Sequence, residues 1–571
     1  MNLIVMILAA ALLVPGFWLV GRALEKRWGV DPARETPAQD CFDGKDYVPT
    51  PKIVVLGHHF SSIAGAGTIF GAVIASAYGW LPVLLWIVVG GLLFGAMHDF
   101  GALFASLRHK GRSLGRVLRE TVDEKAQRLF TVFALLVLVL LIAGFTNIVA
   151  GTFAVSGAES VLSLGFGKVA PGASAGTASI LFVLVALLFG LLVFRKNLPM
   201  LPITIVCLLL MAGSVWAGLN LGLNLPAWVW IAVIALYLIA ASLAPVWSLL
   251  QPRDFLSAFL LWGMMLLGAA AAIAALFSGS VTVELPAYTG FTNAYGPLLP
   301  TLFALMAGGA VSGYHALIAS GTSAKQIANE KHARPVSLGS LLLDSLLALL
   351  ALLAASTLAG RGGDGATPTE VFAGGLATMW STGFKASGAY GLVYSLTVLM
   401  VSVFALTTLD TITRLARYLF AELFNPDNRR LKKLEGAQRF FATPAVGTLI
   451  VVLLGCGLGL IPDTGKLWSL FGAANLLLAG LAMLAVAVWL KQSGKGGKLV
   501  RILTLVLLAL GCATLSYLLG VGVGHIAAGL LTWIDCFSIV CALVLLLLAV
   551  LLMIRALPAL FGKKQPEAEE E

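Results

Sequence analysis

Fifteen apolar stretches, each about 18 to 30 residues long and separated by short polar loops, leave this chain few ways to fold. A helix of about 20 such residues matches the roughly 30 Å hydrocarbon core of a bilayer, where every backbone N–H and C=O must be paired within the protein. The spans are expected at residues 2–20, 54–77, 81–106, 129–157, 178–194, 198–219, 226–250, 255–277, 298–321, 337–359, 386–409, 444–461, 467–490, 499–519 and 526–553. Half-helices and hidden breaks widen the expected count to 14–18. With 59% hydrophobic and 11% charged residues, the chain cannot cover itself with a water-soluble surface, which excludes a soluble enzyme. The largest polar insertions reach only about thirty residues. Residues 1–571 therefore read as one all-α polytopic membrane domain, with the lipid bilayer as its surroundings.

The net charge of +10, from 37 basic and 27 acidic residues, sorts by topology. Arg108, Lys110, Arg112, Arg116, Arg119, Lys125 and Arg128 crowd one loop, which the positive-inside rule places in the cytoplasm. Counting by parity puts the 322–336, 410–443 and 491–501 loops on the same side and the 158–177, 278–297 and 360–385 loops opposite, with the N-terminus outside and the C-terminus inside. No basic stripe with interleaved aromatics offers a path for nucleic acid. The first stretch has no leading positive charge and is followed by Arg22, Lys26 and Arg27, so a retained span is expected rather than a secretory signal. Five of the six cysteines lie in apolar stretches, and no zinc or iron–sulfur spacing occurs; no metal site or cofactor is expected.

Two stretches do not read as lipid anchors. GHHFSSIAGAG at 57–67 holds His58, His59, Ser61, Ser62, Gly65 and Gly67, polar and helix-weakening residues that must face protein or water. The second, 306–326, carries Ser312, His315, Ser320, Thr322 and Lys325 among glycines. The second begins seven spans after the first, so the two run in opposite directions. A Gly-rich broken helix in each of two inverted halves points to the binding site of a secondary transporter, although small residues also serve tight helix packing. Thr407 and Thr408, in a span parallel to the second stretch, could complete a cation site against the first, or bond to their own helix.

Ionisable residues inside spans add to this picture. Asp99 is positioned to carry a proton or to pair with His98 or a histidine of the first broken helix, and His58, His59 and His315 are further proton carriers. Satisfied structural histidines are the competing reading. His98, Asp344, Asp410 and Asn475 are read as support for the core, and Asp535 as a partner of His525 or a backbone donor. The segment following Asp410, TRLARYLFAELF, has the pattern of a surface helix and equally of a continuation of the preceding span.

The motifs GHHFSSIAGAG at 57–67, HDFGALFASLRHKGRSLG at 98–115, SGYHALIASGTSAKQ at 312–326 and FALTTLDTITRLARY at 404–418 resemble those of the carbon starvation protein A family of bacterial inner-membrane transporters. The likeness extends from about residue 46 to 480. It departs from many relatives at Thr68, Gly71-Ala72, His98 and Asp344. It implies an inverted-repeat transporter with a five-plus-five core like that of the LeuT and APC transporters. The first repeat would lie within 54–277, the second within 298–490, and 491–571 would hold peripheral helices and a cytoplasmic tail. A seven-plus-seven arrangement is the alternative.

The resemblance implies import of pyruvate or a similar small carboxylate by H+ symport. Peptide transport and Na+ coupling are the rival readings within transport, and a membrane solute sensor is the rival outside it. No arrangement of nucleophile, acid and base suggests an enzyme.

Overall fold

The computed structural model describes residues 2–562 apart from 156, 158–159, 166–167, 280, 359–365, 428–430, 462–466 and 531; the acidic tail beyond 562 lies outside the described residues. All fifteen apolar stretches are helical. In chain order the principal helices are α1 (Asn2–Trp28), α2 (Lys52–Ile63), α3 (Ala66–Ala75), α4 (Trp80–Arg108), α5 (Glu124–Phe153), α6 (Pro171–Arg195), α7 (Met200–Asn220), α8 (Ala227–Leu243) and α9 (Leu250–Ser278). They continue with α10 (Leu298–Leu305), α11 (Gly313–Gly321), α12 (Ala333–Thr357), α13 (Pro368–Gly383), α14 (Tyr390–Phe424), α15 (Pro444–Gly459), α16 (Trp468–Gln492), α17 (Lys498–Ala527) and α18 (Trp533–Phe561).

Among the described residues, twelve spans are long and apolar enough to cross a bilayer, rising to fourteen when each of two bent helix pairs counts as one. The expected fifteenth, α8, has 17 residues and is about 25 Å long at 1.5 Å per residue, short of the hydrocarbon core. Among these principal helices one was not expected: α13 occupies part of the 360–385 loop. Its start is written in the chain, since Thr367 and Glu370 form a capping box around Pro368 at the first helical position. The TRLARYLFAELF segment continues α14 as a single 35-residue helix rather than lying apart on the membrane surface.

Burial ranks the helices. The most apolar 18-residue window of α16 is 100% buried, whereas those of α1 and α18 are 22% buried and bare rows of Leu, Val and Ile suited to lipid. The loops assigned inside gather on one face: Arg108 pairs with Glu330, Arg119 with Asp427, and Gln492 donates to the Thr121 carbonyl. On the opposite face lie two short hairpins, Leu162–Leu164 with Leu221–Leu223 and Thr292–Asn293 with Gly296–Pro297.

Candidate functional site

Helices α2 and α3 form one span bent by 41°. The chain leaves helical geometry at Ala64 (φ −82°, ψ 60°) and is extended at Gly65 (φ −93°, ψ −167°). The second break lies between α10 and α11, through Gly309 (φ −119°, ψ −121°) and Ser312 (φ −136°, ψ 125°). The two spans run antiparallel. Thr50, before α2, bridges to Ile327, beyond α11, while Gly67 faces Gly308 at mid-span. A Cβ on Gly308 would sit 2.6 Å from the Gly67 carbonyl oxygen, so the backbones touch where the helices break.

Backbone groups freed at the breaks are taken up by side chains. Asn475 of α16 donates to the Ala307 carbonyl at 2.6 Å and to Ser312 Oγ at 2.9 Å, and accepts from the Tyr314 N–H at 2.9 Å. Thr68 donates to the Gly308 carbonyl at 3.1 Å and lies 2.5 Å from Asp344. Asn475 thus meets the freed groups of the second break directly, while Thr68 links that break to α3 and to Asp344. Gly95, in a π-helical stretch of α4, lies against the Ala310 carbonyl and sets up the approach of His98 and Asp99.

Around the breaks runs a seam of buried titratable groups. At one end His58 Nδ1 lies 2.5 Å from Asp254 Oδ2, and His58 Nε2 lies 3.2 Å from Thr322 Oγ1. Ser61 donates to the Asp254 carbonyl, and Ser62 to Asp254 Oδ2 at 3.3 Å. Asp410 is shared by Arg253 and Tyr237 beside this pair. His59 bonds to Ser323 at 2.8 Å and is near enough to feel Asp99, His58 and His315. At the other end Asp99 meets His98 Nδ1 at 2.7 Å and His315 Nδ1 at 3.1 Å. Asp99 therefore pairs with His98 and the histidine of the second broken helix, not one of the first. His58, His59, His98, Asp99, Asp254, His315 and Asp344 are all fully buried.

Arg253 and Asp254 are not among the expected site residues, since the span is expected to begin at Phe255. Their signal was a charged pair directly abutting an apolar stretch in QPRDFLSAFLLW, where the helix in fact starts at Leu250. Other expected residues lie outside the seam. Lys325 sits towards the basic-loop face, its ammonium 4.2 Å from the Tyr418 ring and 5.5 Å from that of Tyr47. The Ser320 hydroxyl bonds to its own helix at Ala316. Thr407 and Thr408 donate to Val403 and Phe404 of their own helix, although Thr408 Oγ1 also lies directly over Gly65. Asp535 bonds to His525 at 2.9 Å and caps α18.

The two faces differ in closure. Opposite the basic loops, a vestibule of about 690 Å³ opens between α5, α13, α14 and α16. Phe70, Phe145, Trp468 and Phe471 line it as one aromatic cluster, with ring centroids 5.3–6.1 Å apart between Trp468 and the other three. Gly67 at the first break lies behind Phe145. At the basic face the path is shut. Val48 and Thr50 N–H groups donate to the Lys325 and Gln326 carbonyls, and Gln251 ties Thr50 to Gln326. Tyr418 donates to Asp46 at 2.5 Å. Burial alone would raise the Asp46 pKa, but Lys325, the Tyr418 hydrogen bond, Arg414 and Arg417 outweigh it and hold the carboxyl below the usual range.

The chain's likeness to solved structures lies in its fold. It resembles the Eremococcus coleocola manganese transporter in complex with an aromatic bis-isothiourea substituted compound, at 12% identity and a TM-score of 0.50, over 91% of this chain and 99% of that one. Sequence relatives are closer. The peptide transporter CstA of Bacillus subtilis (strain 168) is 31% identical over 529 residues, covering 84% of this chain and 82% of the relative. The pyruvate/proton symporter BtsT of Escherichia coli (strain K12) is 30% identical over 550 residues, covering 80% and 73%. The carbon starvation protein CstA family matches residues 1–362 and 362–516. With two antiparallel broken helices enclosing a buried polar seam, this multi-pass chain belongs to the carbon starvation protein CstA family of membrane transporters.

Proposed function

We propose that this protein imports short peptides across the bacterial inner membrane in symport with protons. The observation that carries the reading is the vestibule leading to the paired helix breaks, with a titratable seam beyond them. Its volume of about 690 Å³ lies within the 300–1,000 Å³ of sites that enclose drug-sized ligands. A three-carbon acid would fill little of it. Among the described lining residues Glu370 is the one charged side chain, and it suits the ammonium end of a peptide better than a carboxylate. Several relatives bear the name peptide transporter, so the first expectation of a small carboxylate gives way to the peptide alternative. Pyruvate is the second reading, favoured by BtsT at similar identity.

In this reading His58, His59, Asp99 and His315 carry the coupling proton. The backbone around Gly65, Gly67 and Ser312 meets the substrate, with half-helix ends oriented towards its charged groups. The core is the five-plus-five inverted repeat, the first half within 54–277 and the second within 298–490, and the basic-loop face is cytoplasmic. Alternating access would close the vestibule and open the Asp46–Tyr418 contact.

Reconstituted protein tests this with labelled trialanine and labelled pyruvate under separately imposed proton and sodium gradients. Proton-driven trialanine accumulation is expected. Accumulation of pyruvate alone would transfer the reading to the small carboxylate, and dependence on sodium at fixed pH would overturn proton coupling.

A further inference from the structure

The hydrogen count around His58 fixes more than its neighbours. The Thr322 hydroxyl has one hydrogen, and its 3.0 Å contact with the Ile318 carbonyl requires that hydrogen, because a carbonyl cannot donate. With that hydrogen directed to Ile318, Thr322 Oγ1 is an acceptor towards His58, and Nε2 at 3.2 Å is assigned the hydrogen of that contact. On the other side of the ring Nδ1 and Asp254 Oδ2, 2.5 Å apart, also need a hydrogen between them, since two facing lone pairs would repel. The pair therefore holds two hydrogens, one more than a neutral imidazole facing a carboxylate. It is either an imidazolium beside a carboxylate or a neutral ring beside a carboxylic acid.

We infer that His58 and Asp254 form a proton-binding site whose loss of one proton is sensed by Thr322 at the end of the second broken helix. This rests on the proton-coupled reading above and adds Asp254 and Thr322 to it. The proton leaves His58 Nε2. Nδ1–H remains and donates to the Asp254 carboxylate, and the Thr322 hydroxyl swings from the Ile318 carbonyl to donate to the bare Nε2. The His58–Thr322 bond reverses direction at the loss of the hydroxyl's bond to Ile318, whose carbonyl keeps the Thr322 backbone N–H.

The surroundings make the pair sensitive to that proton. From α14 it faces Asp410 and Arg414, from its own helix Arg253, from α8 Tyr237, from α11 Tyr314, and from α2 His59. Arg253 is matched by Asp410, and Arg414 bonds to the Ala241 and Ala244 carbonyls with Asp46 3.8 Å away. The pair is neutral with the extra proton and carries one buried negative charge without it. Asp254 Oδ1 has no hydrogen-bond partner to spread that charge. Thr322 stands where the chain passes from α11 to the contacts of Lys325 and Gln326 that shut the basic-loop face.

The test uses full-length protein in lipid nanodiscs and in proteoliposomes. In nanodiscs, nitrogen-15 histidine spectra should show one ring, absent from His58→Gln, passing from doubly protonated or strongly hydrogen-bonded at Nδ1 to the plain Nδ1–H tautomer as pH rises. A ring that keeps its Nε2–H tautomer throughout overturns the inference. This arm needs no substrate, so it stands even if neither trialanine nor pyruvate is transported.

In proteoliposomes, Asp254→Asn should lose proton-driven trialanine accumulation at least tenfold while keeping trialanine exchange within about threefold of the original, and Asp254→Glu should restore accumulation. Proton-driven accumulation retained by Asp254→Asn overturns the inference. Loss of exchange together with accumulation in a folded Asp254→Asn also overturns it, and should that variant fail to fold, failure of Asp254→Glu to respond to the proton gradient does so.

Discussion

The contact between the two helix breaks can be tested by an asymmetry that composition would not suggest. Gly67 and Gly308 face each other, yet a methyl group added to each meets different surroundings. On Gly308 the new Cβ would lie 2.6 Å from the Gly67 carbonyl oxygen, 2.8 Å from its carbonyl carbon and 3.1 Å from its Cα, all backbone atoms that no rotamer change can move. On Gly67 it would lie 3.5 Å from the Gly308 carbonyl oxygen and 3.6 Å from the Phe145 ring, ordinary van der Waals distances. Overpacking of this kind costs about 1–3 kcal/mol, and forced separation of two backbones belongs at the upper end. Gly67 sits in the first turn of α3, where alanine gains up to about 1 kcal/mol in helix propensity. Gly308→Ala should therefore lower the melting temperature of purified protein in detergent and shift the arrangement in which the breaks touch by about tenfold to a hundredfold. Gly67→Ala should be neutral or slightly stabilising. Equal damage from both, or none from Gly308→Ala, would refute the close approach.

Three further outcomes follow from the same packing. Asn475→Ala strands the Ala307 carbonyl, the Ser312 hydroxyl and the Tyr314 N–H; at about 1–3 kcal/mol for each buried unsatisfied group it should be among the most destabilising single changes, read by thermal unfolding in detergent. Arg253→Met leaves Asp410 buried without its cation and should cost about 3–5 kcal/mol, most of it recovered in Arg253→Met/Asp410→Leu, by the same measurement. Asp46→Asn should loosen the closure at the basic-loop face and speed hydrogen exchange at the Val48 and Thr50 amides, followed by mass spectrometry. Because the Asp46 pKa is held below its unfolded value, its stabilisation is complete above about pH 4 and is lost only as pH falls through the lowered value, so closure should not vary between pH 5 and 8.

Much of this was legible in the chain because the bilayer permits so little else. Apolar length located all fifteen helical stretches, and basic residues sorted the loops into the two groups that the structure gathers on opposite faces. The breaks were legible for the same reason: Gly65, Ser312 and three histidines have no place in a lipid-facing helix. What escaped were relations between distant segments. Asp254 lies 196 residues from His58, and nothing local to QPRDF announces that partner. Asp99 pairs with His315, 216 residues away in the chain, rather than with His58 or His59, and the π-helical stretch that precedes it in α4 has a sequence that reads simply as apolar. Thr407 and Thr408 show the converse: an attractive pair of hydroxyls, both directed into their own helix. Helix α13 was written in its capping box but lay hidden in a polar loop.

Substrate crossing at the helix breaks should be accompanied by a proton carried in the seam beside them. The most direct test of this coupling records lumenal pH in proteoliposomes when trialanine is added outside with no gradient imposed and no sodium present. Acidification should follow trialanine entry in the original protein and disappear in Asp254→Asn while trialanine exchange persists. Trialanine entry without acidification, or acidification undiminished in Asp254→Asn, would contradict it.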